Sequence, residues 1–104
     1  MAGFVKALAA ADLAPGRGTE VNVAGTAVAM FNVGGAFYAI GNTCLHRGGP
    51  LGQGFLEGPT VTCPWHNWTY DVSTGENVVN HDLKVPCYAT RVEDGQVLVQ
   101  VEQP

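Results

Sequence analysis

Two short segments, each with one cysteine and one histidine, constrain the fold of this chain more than any other feature. Residues 44–46 read Cys-Leu-His and residues 63–66 read Cys-Pro-Trp-His, with sixteen residues between them. Three cysteines cannot all pair within one chain, and thiols stay reduced in the cytoplasm. We therefore expect a fold that brings the two segments together around a metal centre.

Zinc is the first candidate for that centre, because two cysteines and two histidines form a common tetrahedral zinc set. Zinc fingers usually place both cysteines in one segment, whereas each segment here is mixed. The mixed order suits an iron-sulfur cluster in which cysteines hold one iron and histidines hold the other. On this interpretation the inner iron takes Cys44 and Cys63, and the outer iron takes His46 and His66. A zinc-held structural module remains the alternative.

The two segments and their flanks resemble the Rieske family, whose pattern is C-x-H, a spacer of about this length, and C-x-x-H. The similar flanks are Arg47-Gly48-Gly49-Pro50-Leu51, Pro64-Trp65, Asp71 and Thr74-Gly75. The resemblance covers nearly the whole chain. It implies a Rieske-type [2Fe-2S] cluster bound through Cys44, His46, Cys63 and His66. It also implies a single domain over residues 1–104, folded as an antiparallel β-sandwich with a small loop-rich cluster-binding subdomain at about residues 42–72.

The pattern along the chain is all-β, with short β-branched and aromatic runs between turn signals and no convincing helical period. The predicted strands are residues 4–8, 20–23, 28–33, 36–40, 60–62, 68–72 and 97–101, the last of them following a turn at 93–96. Gly34 and Gly35 predict a two-residue hairpin turn, because both can take positive φ. Residues 41–59 are dense in glycine and are predicted to form a loop.

Composition excludes several classes of protein. A net charge of −4 with five scattered Lys and Arg residues argues against nucleic-acid binding, which needs clustered cations. Residues 21–46 carry no Asp, Glu, Lys or Arg, but Asn and Gly residues interrupt this run, so we expect buried strands and no membrane span. The N-terminus is a poor signal peptide. We expect a cytoplasmic protein.

The histidine count bears on function. Rieske oxygenases pass electrons to a mononuclear iron held by two histidines and a carboxylate. The chain has three histidines and the cluster takes two, so His81 alone cannot build that site. The run Gly52-Gln53-Gly54 with Gly58 lacks the spacing of a dinucleotide-binding motif. We therefore expect a soluble monomeric ferredoxin, which is a one-electron carrier without catalytic residues.

The resemblance implies two partners for such a carrier. Electrons would come from an NAD(P)H-dependent flavoprotein reductase and go to the terminal oxygenase of an aromatic-ring dioxygenase system. The alternative is that the chain is the small subunit of an assimilatory nitrite reductase.

Departures from the family pattern indicate a low reduction potential. Membrane-bound respiratory and photosynthetic Rieske proteins carry a disulfide beside the cluster, and the matching positions here are Gly49 and Trp65. In that class Ser and Tyr hydroxyls also donate to sulfur. Trp68 stands at the serine position and Tyr70 at the tyrosine position. Rieske potentials span roughly −150 to +300 mV, and we expect a value toward the low end, raised somewhat by Tyr70.

Several neighbours of the ligands have predicted roles. Three glycines are expected to aim N–H groups at the cluster sulfurs: Gly48, Gly49 and Gly52. Three side chains are expected to shield the inner iron: Leu51, Trp65 and Trp68. Asn67 stands where the family more often has glycine, and asparagine tolerates positive φ. Cys87 is predicted to be a small buried residue and His81 a solvated loop residue.

Overall fold

The computed structural model describes residues 4–44, 49–65 and 67–100, and every strand pair in that part of the chain is antiparallel. The strands are β1 (Val5–Ala9), β2 (Arg17–Val23), β3 (Thr26–Val33), β4 (Ala36–Gly41), β5 (Phe55–Glu57), β6 (Thr60–Thr62), β7 (Thr69–Asp71), β8 (Cys87–Glu93) and β9 (Gln96–Gln100). Two short 3-10 turns, Ala10–Asp12 and Leu51–Gln53, are the helical elements of the described residues. The predicted all-β class is confirmed.

The strands form two sheets that enclose two hydrophobic clusters. One sheet has six strands in the order β1-β9-β8-β4-β3-β2, and the other has the order β5-β6-β7. Successive side chains of β3 point to opposite faces of the large sheet, so this strand contributes to both hydrophobic clusters. Val28 and Met30 lie in one cluster with Val97 of β9. Ala29 and Phe31 lie in the other, which also contains side chains from β6 and β7. The small sheet therefore packs over one face of the large sheet.

Burial of β3 and β4 on both faces explains the long uncharged run. A central strand covered on two sides has no solvent-facing position for a charged side chain. Within the part of the chain that the structure describes, no helix is long and apolar enough to cross a membrane. Most of the uncharged segment at 21–46 forms buried strands of the core, as predicted.

Both hairpins that the sequence predicted in the large sheet turn on residues with positive φ. Gly34 (φ 61°) and Gly35 (φ 101°) connect β3 to β4, which confirms the predicted two-residue turn. Asp94 (φ 51°) and Gly95 (φ 77°) connect β8 to β9. This second turn is shorter than the predicted four-residue turn, because residues 93 and 96 pair with each other as the last rung of the ladder.

The largest differences from the prediction are two strands that it lacked, β5 and β8, and one strand, β2, that begins earlier. β5 lies inside the predicted loop at 41–59, and two of its three side chains are exposed, so no apolar alternation marks it in the sequence. β2 begins at Arg17 rather than at Glu20, and β8 begins at Cys87 with a mostly exposed face. All three features depend on pairing with a neighbouring strand, which local sequence does not reveal.

Candidate metal centre

The structure brings the two predicted cysteine ligands together in a buried position. Cys44 follows β4 and Cys63 follows β6 directly, and their exposed fractions are 1% and 0%. Burial raises the pKa of the Cys63 thiol above its ordinary value of 9.0. A hydrogen bond from the Trp65 N–H lowers this pKa, and the neighbouring Cys44 thiol raises it further. The two cysteines thus lie in the same buried hydrophobic cluster, where their side chains interact.

Each cysteine begins a loop that a backbone hydrogen bond closes. The N–H of Cys44 donates to the carbonyl of Gly49 at 2.9 Å, and the N–H of Cys63 donates to the carbonyl of Trp68 at 2.7 Å. We call residues 44–49 the first loop and residues 63–68 the second loop. The predicted ligands His46 and His66 lie outside the described residues, so their ligation stays a prediction.

Gly49 is the point at which the first loop touches the second. A Cβ built on Gly49 would lie 2.7 Å from Cys63 Sγ and 3.2 Å from Trp65 Cβ. Both separations are shorter than van der Waals contact, so only glycine leaves the sulfur its position here. Gly49 and Trp65 therefore adjoin, as expected of the two positions that carry a disulfide in high-potential relatives.

Each cysteine sulfur has a hydrogen-bond partner. The Trp65 N–H donates to Cys63 Sγ at 3.4 Å. The buried Tyr70 hydroxyl lies 3.4 Å from Cys44 Sγ, and a thiolate at Cys44 can only accept from it. The prediction that Tyr70 reaches a sulfur is confirmed. Donors of this kind stabilise negative charge on sulfur.

The predictions for the other neighbours of the ligands have different outcomes. Leu51 is fully buried in the hydrophobic cluster that contains both cysteines, and Trp68 packs against that hydrophobic cluster. Both positions agree with the predicted shielding of the inner iron. Trp65 is 50% exposed, so much of its ring faces solvent. The prediction for Gly52 is wrong: its N–H donates to the side chain of Asn42 rather than toward sulfur. Gly48 lies outside the described residues.

Asn67 has φ of 61°, as expected for an asparagine at a position where the family more often has glycine. His81 is 71% exposed and its Nδ1 lies 3.3 Å from Glu76 Oε1, so it is the solvated residue that was predicted. The prediction for Cys87 is wrong, because this residue is exposed at the start of β8 and its thiol donates to the Ser73 carbonyl at 3.4 Å. Nothing in a single cysteine at a strand end reveals which way it points.

Among residues 4–44, 49–65 and 67–100, no three His, Cys, Asp or Glu side chains converge on one point that could hold a metal ion. Ligation by Cys44 and Cys63 therefore stays a prediction, as it does for the two histidines.

Comparison with known proteins identifies the family. The profile of the Rieske [2Fe-2S] domain matches residues 3–97. The chain belongs to the Rieske [2Fe-2S] family. Its cofactor is a Rieske-type [2Fe-2S] cluster, and this identification removes the ground for a zinc-held module.

Two curated relatives of this Rieske protein are named as ferredoxins. One is the ferredoxin component of naphthalene 1,2-dioxygenase/salicylate 5-hydroxylase systems from Ralstonia sp, 33% identical over 94 residues, which are 88% of each chain. The other is ferredoxin CarAc from Metapseudomonas resinovorans, 35% identical over 103 residues and covering 96% of this chain and 95% of that one.

Solved structures share the fold over almost the full chain. The ferredoxin of carbazole 1,9a-dioxygenase from Nocardioides aromaticivorans IC177 superposes with a TM-score of 0.89 at 29% identity, covering 95% of this chain and 98% of that one. A ferredoxin in complex with the oxygenase of carbazole 1,9a-dioxygenase gives 0.87 at 32% identity, covering 97% and 95%. These matches confirm the Rieske-type antiparallel fold.

The described residues of this Rieske chain fit the cluster. The two thiols are buried side by side, each with a hydrogen-bond partner, and the backbone at Gly49 leaves no room for a Cβ beside Cys63 Sγ. Hydrogen-bond donors to both buried sulfurs suit thiolates, the form in which cysteines bind iron.

Proposed function

We propose that this Rieske protein is a one-electron carrier, and not itself an enzyme, between an NAD(P)H-dependent flavoprotein reductase and the terminal oxygenase of an aromatic-ring dioxygenase system. The observation that carries the proposal is its 33% and 31% identity to ferredoxin components of naphthalene 1,2-dioxygenase systems, over 88% and 94% of its length. The ferredoxin of carbazole 1,9a-dioxygenase has been captured with its oxygenase. We further propose that the chain acts as a single-domain cytoplasmic monomer.

The ligands in this proposal are Cys44 and Cys63 for the inner iron and His46 and His66 for the outer iron. When bound, the cluster supplies a couple that gains and loses one electron. The protein buries both thiolates, which excludes water from them. It also presents the Trp65 N–H to Cys63 and the Tyr70 hydroxyl to Cys44. These donors favour the more negative, reduced state.

A second candidate acceptor is an assimilatory nitrite reductase, of which this chain would be the small subunit. A structure described as an NADH-dependent nitrite reductase small subunit from Mycobacterium tuberculosis superposes with a TM-score of 0.91. It is 25% identical and covers 100% of this chain and 99% of that one. The two functions share the cluster and the fold and differ only in the protein that receives the electron.

Electron delivery to each acceptor tests the proposal directly. Photochemically reduced protein is mixed without oxygen with the terminal oxygenase or the nitrite reductase encoded in the same genome, and its reoxidation is followed by absorbance. We expect fast reoxidation by the oxygenase and slow reoxidation by the nitrite reductase. The reverse order would assign the chain to nitrite reduction. Reoxidation by neither protein would refute both functions. Protein carrying Cys63→Ser, which lacks an iron ligand, is the negative control.

A further inference from the structure

A buried asparagine lies two residues before the first cysteine ligand. Asn42 follows β4 directly, and 8% of its surface is exposed. Its Oδ1 accepts a hydrogen bond from the Gly52 N–H at 2.7 Å, and its Nδ2 donates to Glu20 Oε1 at 2.9 Å. Both ends of the amide are thus satisfied, as a buried polar group requires. The side chain joins β2 to the segment that follows the first loop.

The surroundings of Asn42 reinforce this link. Its backbone carbonyl accepts from the Leu51 N–H at 2.8 Å. The second carboxylate oxygen of Glu20 accepts from Gln53 Nε2. Gly52 is packed so closely on β2 that a Cβ there would lie 2.5 Å from Glu20 Cγ. The 3-10 turn after the first loop is therefore fastened to the large sheet by side chains and by main chain together.

The link between Asn42 and Gly52 closes the base of the first loop. Just inside it, the Cys44 N–H bonds the Gly49 carbonyl at 2.9 Å. Gly49 is in turn the residue whose built Cβ would lie 2.7 Å from Cys63 Sγ. A displacement of Asn42 or Gly52 is therefore expected to shift Gly49 relative to Cys63 Sγ.

We propose that Asn42 and Glu20 are positioning residues for the cluster. They hold the first loop against the second, and in this way they set how tightly the protein retains iron and the reduction potential at which it works. Residues that orient metal ligands without touching the metal typically change metal affinity by about 10- to 100-fold when mutated. The inference rests on ligation by Cys44 and Cys63 and is independent of which acceptor the protein serves.

The hydrogen-bond pattern allows a reversal experiment. Asn42→Asp keeps an acceptor for the Gly52 N–H but places a carboxylate opposite the carboxylate of Glu20, where an amide donor stood. Adding Glu20→Gln supplies an amide that donates to the new carboxylate while its oxygen still accepts from Gln53. The double variant therefore restores every hydrogen bond with the polarity of one bond reversed.

Iron release to a chelator, the reduction potential and the spin-resonance spectrum are measured on the cluster-loaded proteins. We expect Asn42→Asp to release iron about 10- to 100-fold faster than the parent. Its potential and spectrum should also change. The double variant should return all three toward the parent. A role in fold stability alone would lower the melting temperature without moving the potential or the spectrum.

Asn32→Asp is the matched control. Asn32 is 4% exposed, its Nδ2 donates to the Leu13 carbonyl at 2.8 Å, and its Oδ1 accepts from the Gly35 N–H at 2.8 Å. Its partners lie outside both loops. We expect Asn32→Asp to lower the melting temperature and to leave iron release, potential and spectrum unchanged.

Two results would overturn the inference. One is an Asn42→Asp protein with the potential, spectrum and iron release of the parent, and the other is a double variant no closer to the parent than Asn42→Asp. If Asn42→Asp does not fold, Glu20→Ala alone decides, because it removes the acceptor of Asn42 Nδ2 and that of Gln53 Nε2. Unchanged iron release in that variant would also overturn the inference. A parent protein without iron would instead refute the ligation on which the inference rests.

Discussion

Removing the Tyr70 hydroxyl should lower the reduction potential of the cluster. In Tyr70→Phe the ring stays in its buried site, and the contact between the hydroxyl and Cys44 Sγ, 3.4 Å in the parent, is lost. The hydroxyl stabilises both oxidation states, but it stabilises the reduced state more because that state carries one more negative charge. The variant should therefore be harder to reduce.

The size of the shift follows from the strength of the bond. A hydrogen bond to a charged group contributes about 1.5 to 3 kcal/mol, and the difference between oxidation states is on the order of a third to a half of that. For one electron, a tenfold change in equilibrium corresponds to about 59 mV or about 1.4 kcal/mol. We expect the potential to fall by roughly 20 to 65 mV.

Protein-film voltammetry of parent and variant measures this shift. Tyr88→Phe is the control, because Tyr88 packs against the hydrophobic core residues Val28 and Met30, on the other face of the large sheet. We expect no change in potential for Tyr88→Phe. A Tyr70→Phe protein with an unchanged or higher potential would refute the argument that this hydroxyl favours the reduced state.

Three further predictions follow from the site. Gly49→Ala should lose iron while its cluster-free form still folds, since the Cys63 thiol, 2.7 Å from the new Cβ, can rotate away only when it holds no iron; normal iron content would contradict this. The cluster-free protein should lose stability as pH rises above 9, because the folded state raises the pKa of Cys63 from 9.0 and so holds this proton more tightly than the unfolded state does. Urea titrations on either side of that pH measure the fall in the free energy of unfolding, which should be smaller in Cys63→Ser than in the parent. An equal fall in the two proteins would contradict this prediction. Finally, if His46 and His66 hold the outer iron, the reduced cluster should retain the imidazole protons more tightly and the potential should fall at alkaline pH; a potential that stays flat would argue against titrating histidine ligands.

Features encoded by neighbouring residues were predictable from the sequence. The turn at Gly34 and Gly35 depends on two residues that accept positive φ, and it formed as predicted. The two mixed segments and the family resemblance predicted Cys44 and Cys63 as ligands, and the structure buries both; their ligation stays a prediction. For the turn, the chemistry of two adjacent residues is sufficient to specify the outcome.

Features that depend on tertiary pairing were not predictable. β5 has one partly buried side chain and exists because β6 pairs with it. Asn42 gave no sequence signal, since its role depends on Glu20, which lies on a different strand and is 22 residues away. The error for Gly52 has the same origin, because the acceptor of its N–H is brought near by the fold and not by the sequence.

The central claim is that Cys44, His46, Cys63 and His66 hold a Rieske cluster. Pulsed spin resonance on the reduced protein, together with iron and sulfide analysis, tests it most directly. We expect two irons and two sulfides per chain, a rhombic signal that appears only on reduction, and coupling to the nitrogens of two imidazoles. A colourless protein with one zinc and no iron, or an iron-sulfur signal without nitrogen coupling, would contradict it.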